Sequence, residues 1–97
     1  MATYIMLFRY TAQGAQNVKD SPKRVTAAKK VVRRLGAEVK AFYALMGQYD
    51  TMFILEAPDD ETAGRAALTV SALGNVRTET IRAFTEEEFK KIIADLP

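Results

Sequence analysis

Residues 3–10 alternate between two sets of side chains, and both sets are largely apolar. One set is Tyr4, Met6, Phe8 and Tyr10, and the other is Ile5, Leu7 and Arg9. β-Branched and aromatic residues at a period of two predict a strand. The stretch at 11–20 is polar and contains Gly14 and Asn17, so it is interpreted as a loop.

Helical spacing of apolar residues occurs three times further along the chain. A helix over 21–35 begins at a serine-proline pair, ends before a glycine and has a basic outer face. A second helix, over 59–73, begins at adjacent aspartates and carries a stripe of alanines. A short third helix begins at residues 85–88, where the sequence Thr-Glu-Glu-Glu matches a capping box.

Alternation returns at residues 38–46, 51–56 and 76–83. The first two of these strands are joined by a short connection that contains Gly47, which is typical of a hairpin. The resulting order, βαββαβ followed by a C-terminal helix, predicts a ferredoxin-like α+β fold with a four-stranded antiparallel sheet. The length of 97 residues predicts a single domain over residues 1–97.

Two helices cover only one face of such a sheet, yet the strands are apolar on both faces. If about five large apolar side chains faced water, on the order of 10 kcal/mol of burial would be left unused. We therefore expect two copies to pack face to face, as in a dimeric α/β barrel. The alternative is a monomer whose third helix covers the second face.

The amino-acid composition limits which side chains could carry out catalysis. The chain has no cysteine and no histidine, so catalysis would have to rest on Asp, Glu, Tyr, Lys or Arg. Helix capping explains the acidic residues 59–61, so we expect no metal, and we expect no cofactor. With a net charge of +2, we expect no nucleic acid partner. We also expect no signal peptide and no membrane span, which favours a cytoplasmic protein.

Two blocks of sequence resemble a known family. The run Gly47-Gln48-Tyr49-Asp50 with the strand that follows it, and the later run at 74–84, are similar to the GYD-domain family. That resemblance implies a dimeric α/β-barrel fold and a small bacterial protein without an assigned reaction. It points to the signature positions Gly47, Tyr49 and Asp50 but implies no role for them.

Tyr49 and Asp50 are the first site candidates. Together they could bind a polar ligand or move a proton. Alternatively, Gly47 allows the turn, Tyr49 packs over the sheet end and Asp50 accepts backbone hydrogen bonds. Arg82 is the third candidate.

The fourth strand carries charged residues that could bind an anion. Arg77, Glu79 and Arg82, with Arg9 from the first strand, could hold a carboxylate or phosphate. Cross-strand or intersubunit ion pairs are the alternative.

An apolar ligand cavity between the sheet and its partner is the last candidate site. Its expected lining is Tyr4, Met6, Phe8, Tyr10, Phe42 and Met46. A row of aromatic residues at strand spacing also occurs in cores and interfaces.

Three functions follow from these candidates. The first is a homo-oligomeric accessory protein, or one that binds a small, partly apolar ligand. The second is a cofactor-free enzyme, similar to an isomerase or monooxygenase, that uses Tyr49, Asp50 and Arg82. The third is a purely structural assembly unit.

Overall fold

The computed structural model describes residues 1–97. The strands are β1 (Ala2–Tyr10), β2 (Glu38–Ala44), β3 (Thr51–Ala57) and β4 (Val76–Ala83). The α-helices are α1 (Ala12–Gln16), α2 (Ser21–Arg34), α3 (Asp60–Ala72) and α4 (Glu86–Ala94). None of these helices has both the length and the apolar character that a membrane crossing requires.

The four strands form one antiparallel sheet in the order β2-β3-β1-β4. Helices α2 and α3 follow β1 and β3 and lie on the same face of the sheet. This arrangement is the ferredoxin-like α+β fold that the element order predicted. A bulge between Val39 and Ala41 shifts the pairing of β2 with β3 by one residue.

The hydrophobic core lies between this sheet face and the two helices. Its largest fully buried side chains are Met6, Phe53, Leu55 and Val32. The ring of Phe53 makes edge contacts with Phe8, at a centroid distance of 5.0 Å. The helices contribute mainly small residues to this core, and these let the helices approach while the sheet supplies the rings. Those small residues are Ala28, Ala63 and Ala66.

The segment predicted as a loop at 11–20 is instead helical. It forms α1 and a 3₁₀ turn at Val18–Asp20. Thr11 caps α1 with its side chain, and the Arg24 guanidinium donates to the carbonyl oxygens of Asn17 and Gly14 at 2.7 and 3.1 Å. Local sequence missed these turns because contacts from α2 hold them in place.

The second face of the sheet is uncovered, and α4 does not pack on it. Thr85 caps this helix, and both hydrogen bonds of the predicted capping box are present. The apolar side chains of α4 are Phe89, Ile92 and Ile93, which stay 42–56% exposed. The alternative in which the last helix shields the second face is therefore not the arrangement of this chain. We call this uncovered surface the open face.

Candidate functional site

The open face has an apolar centre surrounded by charge. Alternation along each strand turns every second side chain toward it. Ile5 and Leu7 of β1 lie opposite Ile54 and Met52 of β3, and all four are partly exposed. Ile81 of β4 lies beside Ile5 and is 45% exposed. Adjacent apolar side chains in water are unusual on a monomer and mark an interaction surface.

Arg9, Tyr49 and Glu79 form a polar cluster at one end of the open face. The guanidinium carbon of Arg9 lies 4.8 Å from the centre of the Tyr49 ring, a cation–π contact. The Tyr49 hydroxyl donates to the Glu79 carboxylate. This hydrogen bond, together with partial burial, raises the pKa of Tyr49. The protonated Tyr49 thus holds the Arg9 guanidinium against its ring and donates its hydroxyl hydrogen to the Glu79 carboxylate.

Hydrogen bonds of Asp50 attach the segment between β2 and β3 to β1. Its Oδ2 accepts the Tyr10 backbone N–H at 2.8 Å, and its own N–H donates to the Phe8 carbonyl at 2.8 Å. The Asp50 carbonyl accepts from the Leu45 N–H at 2.8 Å. Gly47 precedes it at φ 128°, a conformation that favours glycine. Two signature positions, Gly47 and Asp50, thus shape and anchor this β2–β3 connection.

Arg82 does not join Tyr49 and Asp50, so the expected catalytic trio is not assembled. Arg82 pairs with Tyr4, near the start of β1, whereas Tyr49 contacts Arg9 near its end. Five residues of strand separate these places by roughly 16 Å. Arg82 also lies on the helix-covered face, where its guanidinium contacts the Tyr4 and Phe84 rings. Side chains alternate between the two faces of a strand, so residue 82 lies on the opposite face of the sheet from residues 77 and 79.

The residues expected to line a cavity between two sheets lie elsewhere. Tyr4, Met6 and Phe8 are at most 4% exposed and pack under the helices. Met46 lies in the β2–β3 connection and is fully exposed. Both faces of β1 are apolar, so alternation could not tell which set meets the helices. That placement in an intersheet cavity was wrong.

Some of those residues line a different pocket, on the helix-covered side. It lies between α2, the end of α3 and the sheet, and its volume is about 110 Å³. Phe8, Tyr10 and Phe42 form its sheet side. The Tyr10 hydroxyl and Ser21 Oγ are 3.2 Å apart. Ligand pockets for drug-sized molecules occupy about 300–1,000 Å³, so this pocket accommodates only a small apolar group.

Sequence reasoning missed the side chains that form the open face. The second apolar set of β1 includes Ile5 and Leu7, but aromatic residues at strand spacing in the first set are the stronger signal for a ligand cavity. Met52 and Ile54 carried the same signal in β3. The rule that could have found them is that the large rings face the alanine-rich helices.

The sheet order and the single layer of helices place the chain in the class of ferredoxin-like α+β domains. A match to the GYD domain over residues 4–93 then defines its family. The chain belongs to the GYD-domain family, as its two sequence blocks predicted.

Two relatives extend this assignment. A Thermus thermophilus protein named glutamine synthetase and cystathionine beta-lyase binding protein is 36% identical over 84 residues, which cover 86% of this chain and 88% of that protein. The crystal structure of TTHA0845, also from Thermus thermophilus, superposes with a TM-score of 0.58 at 26% identity, covering 88% of this chain and 95% of that one.

A third similarity concerns the fold alone. The crystal structure of the Mycobacterium tuberculosis leucine response regulatory protein LrpA superposes with a TM-score of 0.66 at 13% identity. The match covers 87% of this chain and 51% of the LrpA chain.

Proposed function

We propose that this protein is a homodimeric accessory protein that binds other proteins, and that its two copies pair through the open face. The observation that carries the proposal is the uncovered apolar centre of that face, formed by Ile5, Leu7, Met52 and Ile54. The relative named as an enzyme-binding protein supports a role in contacting other proteins. The separation of Arg82 from Tyr49 argues against a cofactor-free enzyme that uses both residues.

The gain from pairing follows from the exposed apolar area. If five half-buried side chains each gain about 1 kcal/mol on burial, two faces together gain on the order of 10 kcal/mol. Association costs an estimated 4–15 kcal/mol in lost freedom of motion. The balance predicts a dimer that dissociates on dilution rather than an obligate one.

Ile54→Lys tests the pairing because it places a charge at the apolar centre of both copies. Each unpaired charge would lose its water on association, so we expect the dimer dissociation constant to rise at least about 100-fold. Leu68→Lys is the matched control, because Leu68 is 74% exposed on α3, away from the open face. Sedimentation equilibrium over a dilution series measures both constants.

An unchanged dissociation constant in Ile54→Lys, with native circular dichroism, would exclude pairing through this face. So would a wild-type chain that stays monomeric at every concentration tested. Equal weakening by Leu68→Lys would show that the added charge acts in a non-specific way.

Binding to other proteins requires its own experiment. Purified glutamine synthetase and cystathionine beta-lyase from the same source are titrated with the purified chain by calorimetry. We expect saturable binding to at least one of them. The partly exposed apolar stripe of α4 is our candidate contact, so Ile92→Asp should weaken the complex while the dimer persists. Failure of both titrations would reject these two partners.

The helix-side pocket supports a second candidate function, the binding of a small apolar ligand. An apolar cavity of about 150 Å³ binds benzene in another protein. Native mass spectrometry of the freshly purified chain should detect a retained small molecule if the pocket is occupied. Val25→Phe, which places a ring into this pocket, should abolish retention. A wild-type chain without retained mass and without affinity for benzene would reject this function.

A further inference from the structure

Two pairs of like charges face each other across neighbouring strands of the open face. Glu38 of β2 is the direct partner of Glu56 of β3. Arg9 of β1 is the direct partner of Arg77 of β4. Like charges directly opposite each other destabilise a sheet. The single chain therefore carries an unfavourable acidic corner, Glu38 and Glu56, and an unfavourable basic corner, Arg9 and Arg77.

Neither corner forms an ion pair within the chain. The ion pairs of the structure lie on other surfaces and are Glu61–Arg65, Arg82–Glu88 and Glu87–Lys90. Glu79 lies diagonal to Arg9, but its carboxylate accepts the Tyr49 hydroxyl. Both corners thus remain available to an external charge.

The corners lie diagonally across the apolar centre. The acidic corner is level with Thr3 of β1, and the basic corner is level with Arg9, six residues further along. This separates them by about 20 Å along the strands and about 10 Å across two strand spacings. Their midpoint falls between β3 and β1, among the apolar side chains of Ile5, Leu7 and Ile54.

We propose that in the face-to-face dimer the acidic corner of each protomer binds the basic corner of its partner. A twofold axis in the plane between the sheets exchanges the two corners if it passes over the apolar centre and runs perpendicular to the line that joins the corners. Each acidic pair then meets a basic pair, and both repulsions are relieved together. The inference rests on the proposed pairing through the open face and adds its register.

Tyr49 is a positioning residue in this arrangement. Its ring lies against the Arg9 guanidinium at 4.8 Å, and its hydroxyl occupies Glu79. Without that hydroxyl, Glu79 would be free to pair with Arg9 in the same protomer. Tyr49→Phe should therefore weaken the dimer, and the additional change Glu79→Gln should restore it.

Charge exchange between the corners tests the register. The acidic variant carries Arg9→Glu and Arg77→Glu, and the basic variant carries Glu38→Lys and Glu56→Lys. Each variant alone faces its own copy with like charges only, so we expect the dissociation constant to rise about 100-fold or more. A 1:1 mixture presents opposite charges at both corners and should form a heterodimer, which native mass spectrometry resolves by mass.

A matched control separates this effect from a change in net charge. Lys29→Glu with Lys30→Glu makes the same charge change as the acidic variant, on the exposed side of α2. This control should dimerise like the wild type and should not pair preferentially with the basic variant.

A second measurement tests proximity directly, because the chain has no native cysteine. Glu56→Cys mixed with Arg77→Cys should give more product with a short thiol cross-linker than either variant alone. Sheets packed face to face lie about 10 Å apart, within the reach of such a reagent.

Four outcomes decide the inference. Dimerisation of both charge variants at the wild-type dissociation constant would overturn the register, and so would a mixture that stays monomeric. If Ile54→Lys disrupts the dimer in the same experiments, pairing through the open face stands and only the register falls. If Ile54→Lys leaves the dimer intact, both the register and the proposed dimer fall.

Discussion

Replacing Asp50 should separate a structural role for this signature residue from a chemical one. Asp50→Ala removes the acceptor of the Tyr10 N–H and leaves a half-buried donor without a partner. Hydrogen bonds to charged groups contribute about 1.5–3 kcal/mol, and partial exposure of this site reduces the expected loss to about 1–2 kcal/mol. Asp50→Asn keeps an oxygen in the same position and should lose less than half as much.

The expected shift in melting temperature follows from chain length. With about 2.1 cal/mol/K per residue, a chain of 97 residues has an unfolding entropy near 0.2 kcal/mol/K. Asp50→Ala should therefore melt about 5–10 °C below the wild type. Circular dichroism at one fixed protein concentration is the assay, because the proposed dimerisation would make stability depend on concentration.

The comparison between the two variants carries the test. If Asp50→Asn melts as low as Asp50→Ala, the negative charge rather than the hydrogen bond to Tyr10 is what the fold requires. If both variants melt like the wild type, the anchoring of the β2–β3 connection contributes nothing and the reasoning is refuted.

Two further predictions concern packing and pH. Gly14→Ala should destabilise the fold, because the new Cβ would lie 2.0 Å from the Asn75 carbonyl oxygen. The Cβ of Gly64→Ala meets no atom within 4 Å, so this variant should be more stable by about 0.5–1 kcal/mol. Urea denaturation measures both changes. A hydrogen bond to Asp60 and burial raise the pKa of Tyr4 above its ordinary value of 10.0. The contribution of Tyr4 to folding stability is therefore fully present below about pH 10 and falls at higher pH, because this tyrosine ionises first in the unfolded chain. Tyr4→Phe should flatten that alkaline decline, and an unchanged slope would contradict the assignment.

Local pattern was sufficient for most of the fold. The Thr85 capping box depends on contacts within a few residues, so its signal is complete in the sequence. Helix α2 begins at Ser21 as predicted, but its N-cap residue is Asp20 and no side chain caps it. The second predicted strand extended to Met46, whereas β2 ends at Ala44, because the strand gives way to the connection that Asp50 anchors.

The candidate site was harder to predict. Tyr49 and Asp50 are adjacent in the sequence, but their partners Arg9, Glu79 and Tyr10 lie 30 or more residues away in sequence. No local spacing reveals such pairs. Strand register brings them together, through the pairing of β1 with β3 and with β4.

The order of helices and strands, the lack of histidine and cysteine, and an excess of apolar strand residues could all be determined from the sequence. Which apolar set of β1 faces the helices could not, because Tyr4 and Ile5 satisfy the same alternation on opposite sides. Only packing against the small residues of α2 and α3 decided it, since the rings fill the space that those alanines leave. Because the Tyr4 set of β1 packs against the helices, the side chains on the opposite side of the sheet lie on the open face. These include Ile5, Ile54, Arg9 and Glu56.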